Sequence, residues 1–472
     1  MEPQQFHPVH QVATAREGGR LDRRGAIWFV WCVWLIMMLF ALACIAKYGR
    51  NIPLAEDWGL VAPLTGNEPD LLGWLWSQNN EHRVPLPRLM LLALLKITNG
   101  DFRVGMFFNA IALAGLSIAM MQVARHLRGG QTQFVDAFFP VALLHIGNWE
   151  NLVWSWQLSF VLPAVLICGV LLVMLVQPTL ATPRAAVLVG VSLVLLPLCG
   201  GIGLLFVPFL TLWLSYCGVR HWHTVKTSGG QRWISGVLIG AVAIALSIIG
   251  LYFVGYQRPY WNPPSPGIGA TLQTAAKFLA LGFGPAAAKS WKLSILVAFA
   301  LLVPSLGVAV NGVLRHKGLE RHRALGVLLF SSSLAVFALA MGWGRAGLVP
   351  TVGMPIRYVL LSVPSLCTAF FIWELYGSYK FRTLVQRSLL IGMCLLIPFN
   401  TMAGFQWRNW YLGGMNAVEQ DLLAETPASL LAKRHREFLV HWWDETKLAA
   451  HMQMLHDTGS GPFAKMREES SN

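Results

Sequence analysis

The chain has 472 residues, of which 55% are hydrophobic and 12% charged, with 20 tryptophans and a formal net charge of +14. Soluble globular chains carry about 25% charged residues, so these proportions exclude an ordinary soluble enzyme. The basic excess reads as a membrane-orientation signal, and no nucleic-acid partner is expected.

A membrane-crossing helix needs about 20 mostly apolar residues. Eleven segments meet or approach that requirement: 27–46, 104–124, 132–147, 157–177, 185–200, 202–217, 233–254, 291–312, 324–341, 358–376 and 388–404. The first is too long for a signal-peptide core and reads as a retained anchor. Pro197, Gly200, Gly201, Gly203 and Pro208 interrupt the region around 193–218. They predict two short helices joined by a tight turn.

Basic residues fall in alternate connections. They are Arg16, Arg20, Arg23 and Arg24; Arg125 and Arg128; Arg184; Arg220, Lys226 and Arg232; Arg315, Lys317, Arg321 and Arg323; and Lys380, Arg382 and Arg387. The positive-inside rule then places the N-terminus in the cytoplasm and the tail from about 405 outside. The expected fold class is an all-α polytopic membrane protein with about 11 transmembrane helices. The expected organisation is a cytoplasmic tail over 1–26, a transmembrane domain over 27–404 with a long outer loop at 47–103, and a small helical outer tail over 405–472.

Within that outer loop, Pro87–Thr98 is apolar but too short to span, and predicts a membrane-surface or re-entrant helix. Thr271–Leu281 is a second candidate, following the Pro-rich PYWNPPSPG stretch at 259–267. All seven cysteines lie in apolar runs without metal-type spacing and read as small hydrophobes. No internal repeat supports an inverted-repeat transporter.

Of the 22 acidic residues, none lies between Glu150 and Glu320, so a carboxylate-using function draws on a short list. Glu56-Asp57, followed by Trp58, opens the long outer loop. A carboxylate there can deprotonate a hydroxyl or help hold a divalent cation such as Mg or Mn. Asp70 and Asp101 read as helix caps instead. Asn79-Asn80-Glu81-His82-Arg83 and Arg88 bring an acid, an imidazole and two arginines to the start of the surface helix. Gly147-Asn148-Trp149-Glu150-Asn151 runs on to Trp154-Ser155-Trp156-Gln157 between the third and fourth segments. Gly342-Trp343-Gly344-Arg345 and Arg357-Tyr358 place two arginines on the outer side, against the positive-inside trend, where they suit a phosphate. Arg258 and Lys277 would add positive charge. His145 reads as a satisfied buried histidine.

An N-in first span, a long outer loop opening with an acidic pair, a surface helix and a distal arginine-bearing loop resembles the GT-C superfamily of membrane glycosyltransferases. Protein mannosyltransferases and aminoarabinose transferases belong to that group. The resemblance is carried mainly by residues 27–124, including Glu56-Asp57, His82–Leu86 and Asn99–Ser117. Glu-Asp-Trp stands here where many members have Asp-Glu, and the chain has no large folded C-terminal domain.

The resemblance implies an inverting transferase at the periplasmic face of a bacterial inner membrane. It would move a sugar from a polyprenyl-phosphate donor to a glycan, lipid or protein acceptor. Asp57 or Glu56 would be the base or a metal ligand, with Glu81 and His82 also catalytic candidates. Arg83, Arg88, Trp149, Glu150, Arg258, Lys277, Arg345, Arg357 and Tyr358 would contact substrate. An O-antigen ligase or polymerase, whose catalytic loop lies late in the chain, and a transporter are the rival classes.

Overall fold

In a computed structural model of the chain, residues 9–228, 231–259 and 261–467 are described, with backbone only at 9–23, 228 and 351–352. The tail read as cytoplasmic (1–26) and the Pro-rich stretch (259–267) therefore lie partly outside the described residues. Those described form helices almost throughout, with one two-stranded hairpin, Gln78–Asn79 against His82–Arg83.

Among them, nine helices are long and apolar enough to cross a membrane. They are Arg24–Tyr48, Arg103–Leu127, Ser155–Val176, Gly201–Thr227, Trp233–Phe253, Pro285–Arg315, Gly318–Arg345, Ile356–Tyr376 and Tyr379–Leu423. The chain is an all-α polytopic membrane protein. Apolar side chains such as Trp28, Ile36, Leu296, Leu314 and Leu395 project from these helices fully or half exposed. That is the expected surface where lipid is the solvent. The Val359–Tyr376 helix is the opposite case, with every residue from Val359 to Glu374 buried. It carries no amphipathic period because no face of it meets lipid. Phe370 and Phe371 stack there against Phe138 and Phe139, at centroid distances of 4.7–5.8 Å.

Two of the eleven hydropathic segments take other forms. Pro183–Cys199 is a shorter apolar helix. It ends at Gly200, whose φ of +87° lets the chain reverse into the next helix. The turn expected there is present, but its second arm, Gly201–Ser228, is a long helix of 28 residues and not a short one.

The 132–147 segment is not one helix. Phe138–Leu144 makes only two turns, and His145 then leaves helical geometry. Short turns at Ile146–Asn148, Trp149–Leu152 and Ser155–Gln157 follow. Pro140, Gly147 and the polar run Asn148-Trp149-Glu150-Asn151 break the helix. The irregular stretch is tolerated because every residue from Val135 to Ser159 is buried in protein.

The short apolar segment forms a helix, Pro85–Ile97, with Pro at its first position. Ile268–Ala280 supplies the second. The last long helix runs unbroken through position 404 to Leu423, followed by Ala428–Val440 and Glu445–Asp457.

Candidate functional site

At the end of the bundle reached by Arg345 and Arg357, a cavity of about 640 Å³ opens between the 47–103 loop, the broken segment and the distal loop. Glu56, Glu81, His82, Glu150, Arg345, Arg357 and Tyr358 all line it. Seven sequence candidates, drawn from positions 56 to 358, thus converge on one space.

Local backbone chemistry explains how each arrives. Glu56 sits on the 3-10 turn Ala55–Leu60, entered through Ala55 at φ +52°. The hairpin turn pairs Asn79 with His82 and places Asn80 at φ +51°, a conformation that Asn tolerates well. That turn carries Glu81 and His82 into the cavity. The reversal at Gly200-Gly201 packs under His82, and a Cβ on Gly201 would meet the imidazole at 2.9 Å.

The charges are arranged as two pairs and one remainder. Glu81 is ion-paired with Arg345, and His82 Nε2 lies 3.7 Å from the same carboxylate. Glu150 accepts from the Arg357 guanidinium at 2.6 Å and from the Arg357 backbone N–H at 3.0 Å. Asn151 donates to the Arg357 carbonyl at 2.9 Å, fixing the broken segment to the distal loop. Glu56 is the remainder. Its Oε1 is 3.5 Å from the Asn80 amide, and its buried Oε2 has no partner. Burial pushes the Glu56 carboxyl above its ordinary value, against the pull of Arg357. Burial also lowers His82, against the pull of Glu81, and so favours its neutral form.

Asp57, although adjacent in sequence, does not line the cavity. It is 1% exposed, and its Oδ2 accepts from the Leu54 backbone N–H at 3.4 Å. It closes the start of the 3-10 turn, and burial pushes its carboxyl well up. Glu56 and Asp57 therefore do not present a joint ligand pair. Among the described residues no group of three or more His, Cys, Asp or Glu is arranged to hold a metal ion. The residues present do not fit the divalent cation considered from sequence.

Four expected substrate contacts also have other work. Arg83 donates to the carbonyls of Trp76 (2.7 Å), Tyr252 (3.0 Å) and Val254 (2.8 Å), tying the hairpin to the end of the Trp233–Phe253 helix. Arg88 is buried and serves the carbonyls of Trp74 and Ser77, and burial lowers it to about 10. Both serve backbone carbonyls, Arg88 those of the loop before the hairpin and Arg83 those of that loop and of the helix end. Trp149 is a core residue between Tyr48 and Trp407. Lys277 lies over the Trp291 ring, lining neither this cavity nor its neighbour. Arg258 lines an adjoining space of about 410 Å³ that shares Glu81, His82, Gly201 and Arg345 with the first.

Sequence reading missed several lining residues. Trp261, Trp407 and His441 complete the wall alongside Trp154 and Trp156. Trp407 and His441 come from the tail, where nothing in the local sequence sets them apart. No family model, curated protein or solved structure matches the chain.

Proposed function

We propose that the chain is a membrane glycosyltransferase that moves a sugar from a polyprenyl-phosphate donor to a hydroxyl-bearing acceptor. The acceptor would be a glycan, lipid or protein, and transfer would take place on the membrane face opposite the basic turns. By the positive-inside rule that face is the non-cytoplasmic one, which in this reading is the periplasmic side of a bacterial inner membrane. The observation that carries the reading is Glu56, an unpaired carboxylate in a tryptophan-lined cavity that also holds Arg345 and Arg357.

The chemistry follows from the placement. The acceptor oxygen attacks the anomeric carbon as its proton passes to Glu56. The carbon–oxygen bond to the phosphate breaks, and its electron pair leaves on the phosphate oxygen. Arg345 and Arg357 would stabilise that developing charge. Trp154, Trp156 and Trp261 line the cavity, and indole rings suit the carbon side of a sugar ring. No metal enters the step.

Glu56→Gln removes the base while keeping shape. Transfer from a polyprenyl-phosphate sugar should fall by about 100-fold or more, the usual scale for a lost general base. The folded fraction should be unchanged. Because Glu56 must be ionised to act and its carboxyl is raised, activity should fall as pH drops while still above the ordinary carboxylate range. Full turnover by a folded Glu56→Gln protein overturns the assignment.

A further inference from the structure

The opposite end of the bundle holds a second, chemically different cavity. It has a volume of about 370 Å³ and is lined by Arg128, Gln131, Gln133, Glu320, Arg323, Glu374 and Arg382 with two leucines. Glu320 and Arg345 sit on one helix, Gly318–Arg345. Their separation of 25 positions corresponds to about 37 Å at 1.5 Å per residue. That exceeds the ~30 Å hydrocarbon core, so the two cavities face opposite sides of a bilayer.

Four chain segments meet here. Arg128, at the end of the Arg103–Leu127 helix, donates to Glu374 and to Asp136, both at 2.7 Å. Glu374 also accepts from Arg382 at 3.1 Å and Gln386 at 2.9 Å. Arg323 is paired with Glu320. The carboxylates are thus supplied with donors, but the guanidiniums are not fully supplied with acceptors. The Arg128 side chain is only 4% exposed, yet its Nη2 has no partner. The buried Nε of Arg323 has none either. A buried charged N–H without an acceptor is costly, and Arg128 and Arg323 both line the open space.

We infer that this cavity is a ligand site, separate from the carboxylate cavity, that takes the phosphate group of a phosphomonoester or of an inner-leaflet lipid headgroup. Arginine N–H groups set at fixed angles suit phosphate oxygens. Three guanidiniums in the wall face two carboxylates, and Asp136 behind Arg128 evens the balance. Selectivity therefore comes from donor geometry more than from net charge. The exposed turns around it, bearing Arg125, Arg315, Lys317, Arg321 and Lys380, add a longer-range positive field.

The test uses the purified full chain and its tryptophan fluorescence as a melting signal. In detergent, inorganic phosphate should raise the midpoint above that in chloride of equal ionic strength. In a parallel arm, nanodiscs of phosphatidylcholine with added phosphatidylglycerol should do so relative to phosphatidylcholine alone. The arm that responds identifies the source of the phosphate. Arg323→Gln should lose most of the shift, and it leaves Glu320 solvated, so folding is not at stake. Arg357→Gln, which alters only the other cavity, should keep it. No shift in either arm, an undiminished shift in Arg323→Gln, or loss in Arg357→Gln instead, overturns the assignment.

Discussion

The two ends of the bundle use the same residue types to opposite ends. On the basic side, Glu374 receives Arg128, Arg382 and Gln386, and Asp136 receives Arg128 and the Gln133 backbone N–H. Every lining carboxylate there is satisfied, and buried donor capacity is left over. On the other side, Arg345 and Arg357 are each absorbed by a carboxylate, and Glu56 is left over. The surplus group differs in sign of function: an acceptor of protons at one end, donors of hydrogen bonds at the other. Ion pairing alone does not mark a site. What distinguishes each cavity is the group that pairing leaves unsatisfied.

The comparison breaks most visibly at Arg128. Replacing it with Met strips Asp136 and Glu374 of their shared partner, both of which are buried. Breaking such a pair costs about 3–5 kcal/mol. Arg128→Met should therefore give a large fall in thermal midpoint and in folded yield. A midpoint close to wild type would show that Arg382 and Gln386 hold Glu374 unaided.

Arg345→Gln and Arg357→Gln should behave differently, because their side chains are 19% and 33% exposed and open onto the cavity. Each variant leaves one largely buried carboxylate, Glu81 or Glu150, without its ion-pair partner. Stability should therefore fall, but by less than when Arg128 is lost from two, while transfer should drop by about 100-fold, as when one charge-stabilising donor is removed. Arg357→Gln keeps the backbone N–H and carbonyl that hold Glu150 and Asn151, so that junction should stay in place. A stability loss without a rate loss would make these pairs structural braces like Arg128.

These contrasts also show what the sequence could and could not reveal. Hydropathy located nine long helices because crossing the hydrocarbon core takes a run of about 20 apolar residues, whether lipid or protein surrounds it. It misread 132–147 because Pro140, Gly147 and the Asn148–Asn151 run break a helix that burial then protects, and a hydropathy window does not register burial. The clusters around Glu81, Glu150, Arg345 and Arg357 were visible as polar groups placed against the membrane trend. Arg83 and Arg88 followed the same rule but serve backbone carbonyls of the loop and of a helix end, which come within their reach only once the chain has folded. Trp407 reaches the cavity from the long helix where it continues past position 404, and His441 from the end of the separate Ala428–Val440 helix. The basic-side cavity was hidden in plain orientation signals, since Arg128, Arg323 and Arg382 look like ordinary cytoplasmic charges.

The finest distinction is between neighbours, Glu56 and Asp57, which composition cannot separate because one step along a 3-10 turn decides which side chain faces the cavity. Asp57→Asn tests it. The Asp57 carboxyl is pushed well above its ordinary value by burial, so the folded state holds a proton there that the unfolded chain gives up. Stability contributed this way is fully present below the ordinary carboxylate range and declines as pH rises toward the raised value. Asparagine cannot ionise, and its side-chain oxygen can still accept from the Leu54 N–H. The variant should thus melt at or above wild type near neutral pH, with the advantage shrinking in acid. Transfer should stay within about threefold of wild type, an effect too small for loss of a group acting in the transition state. If a well-folded Asp57→Asn protein is instead inactive while Glu56→Gln still turns over, the base is Asp57, and the cavity must rearrange to expose it when substrate binds.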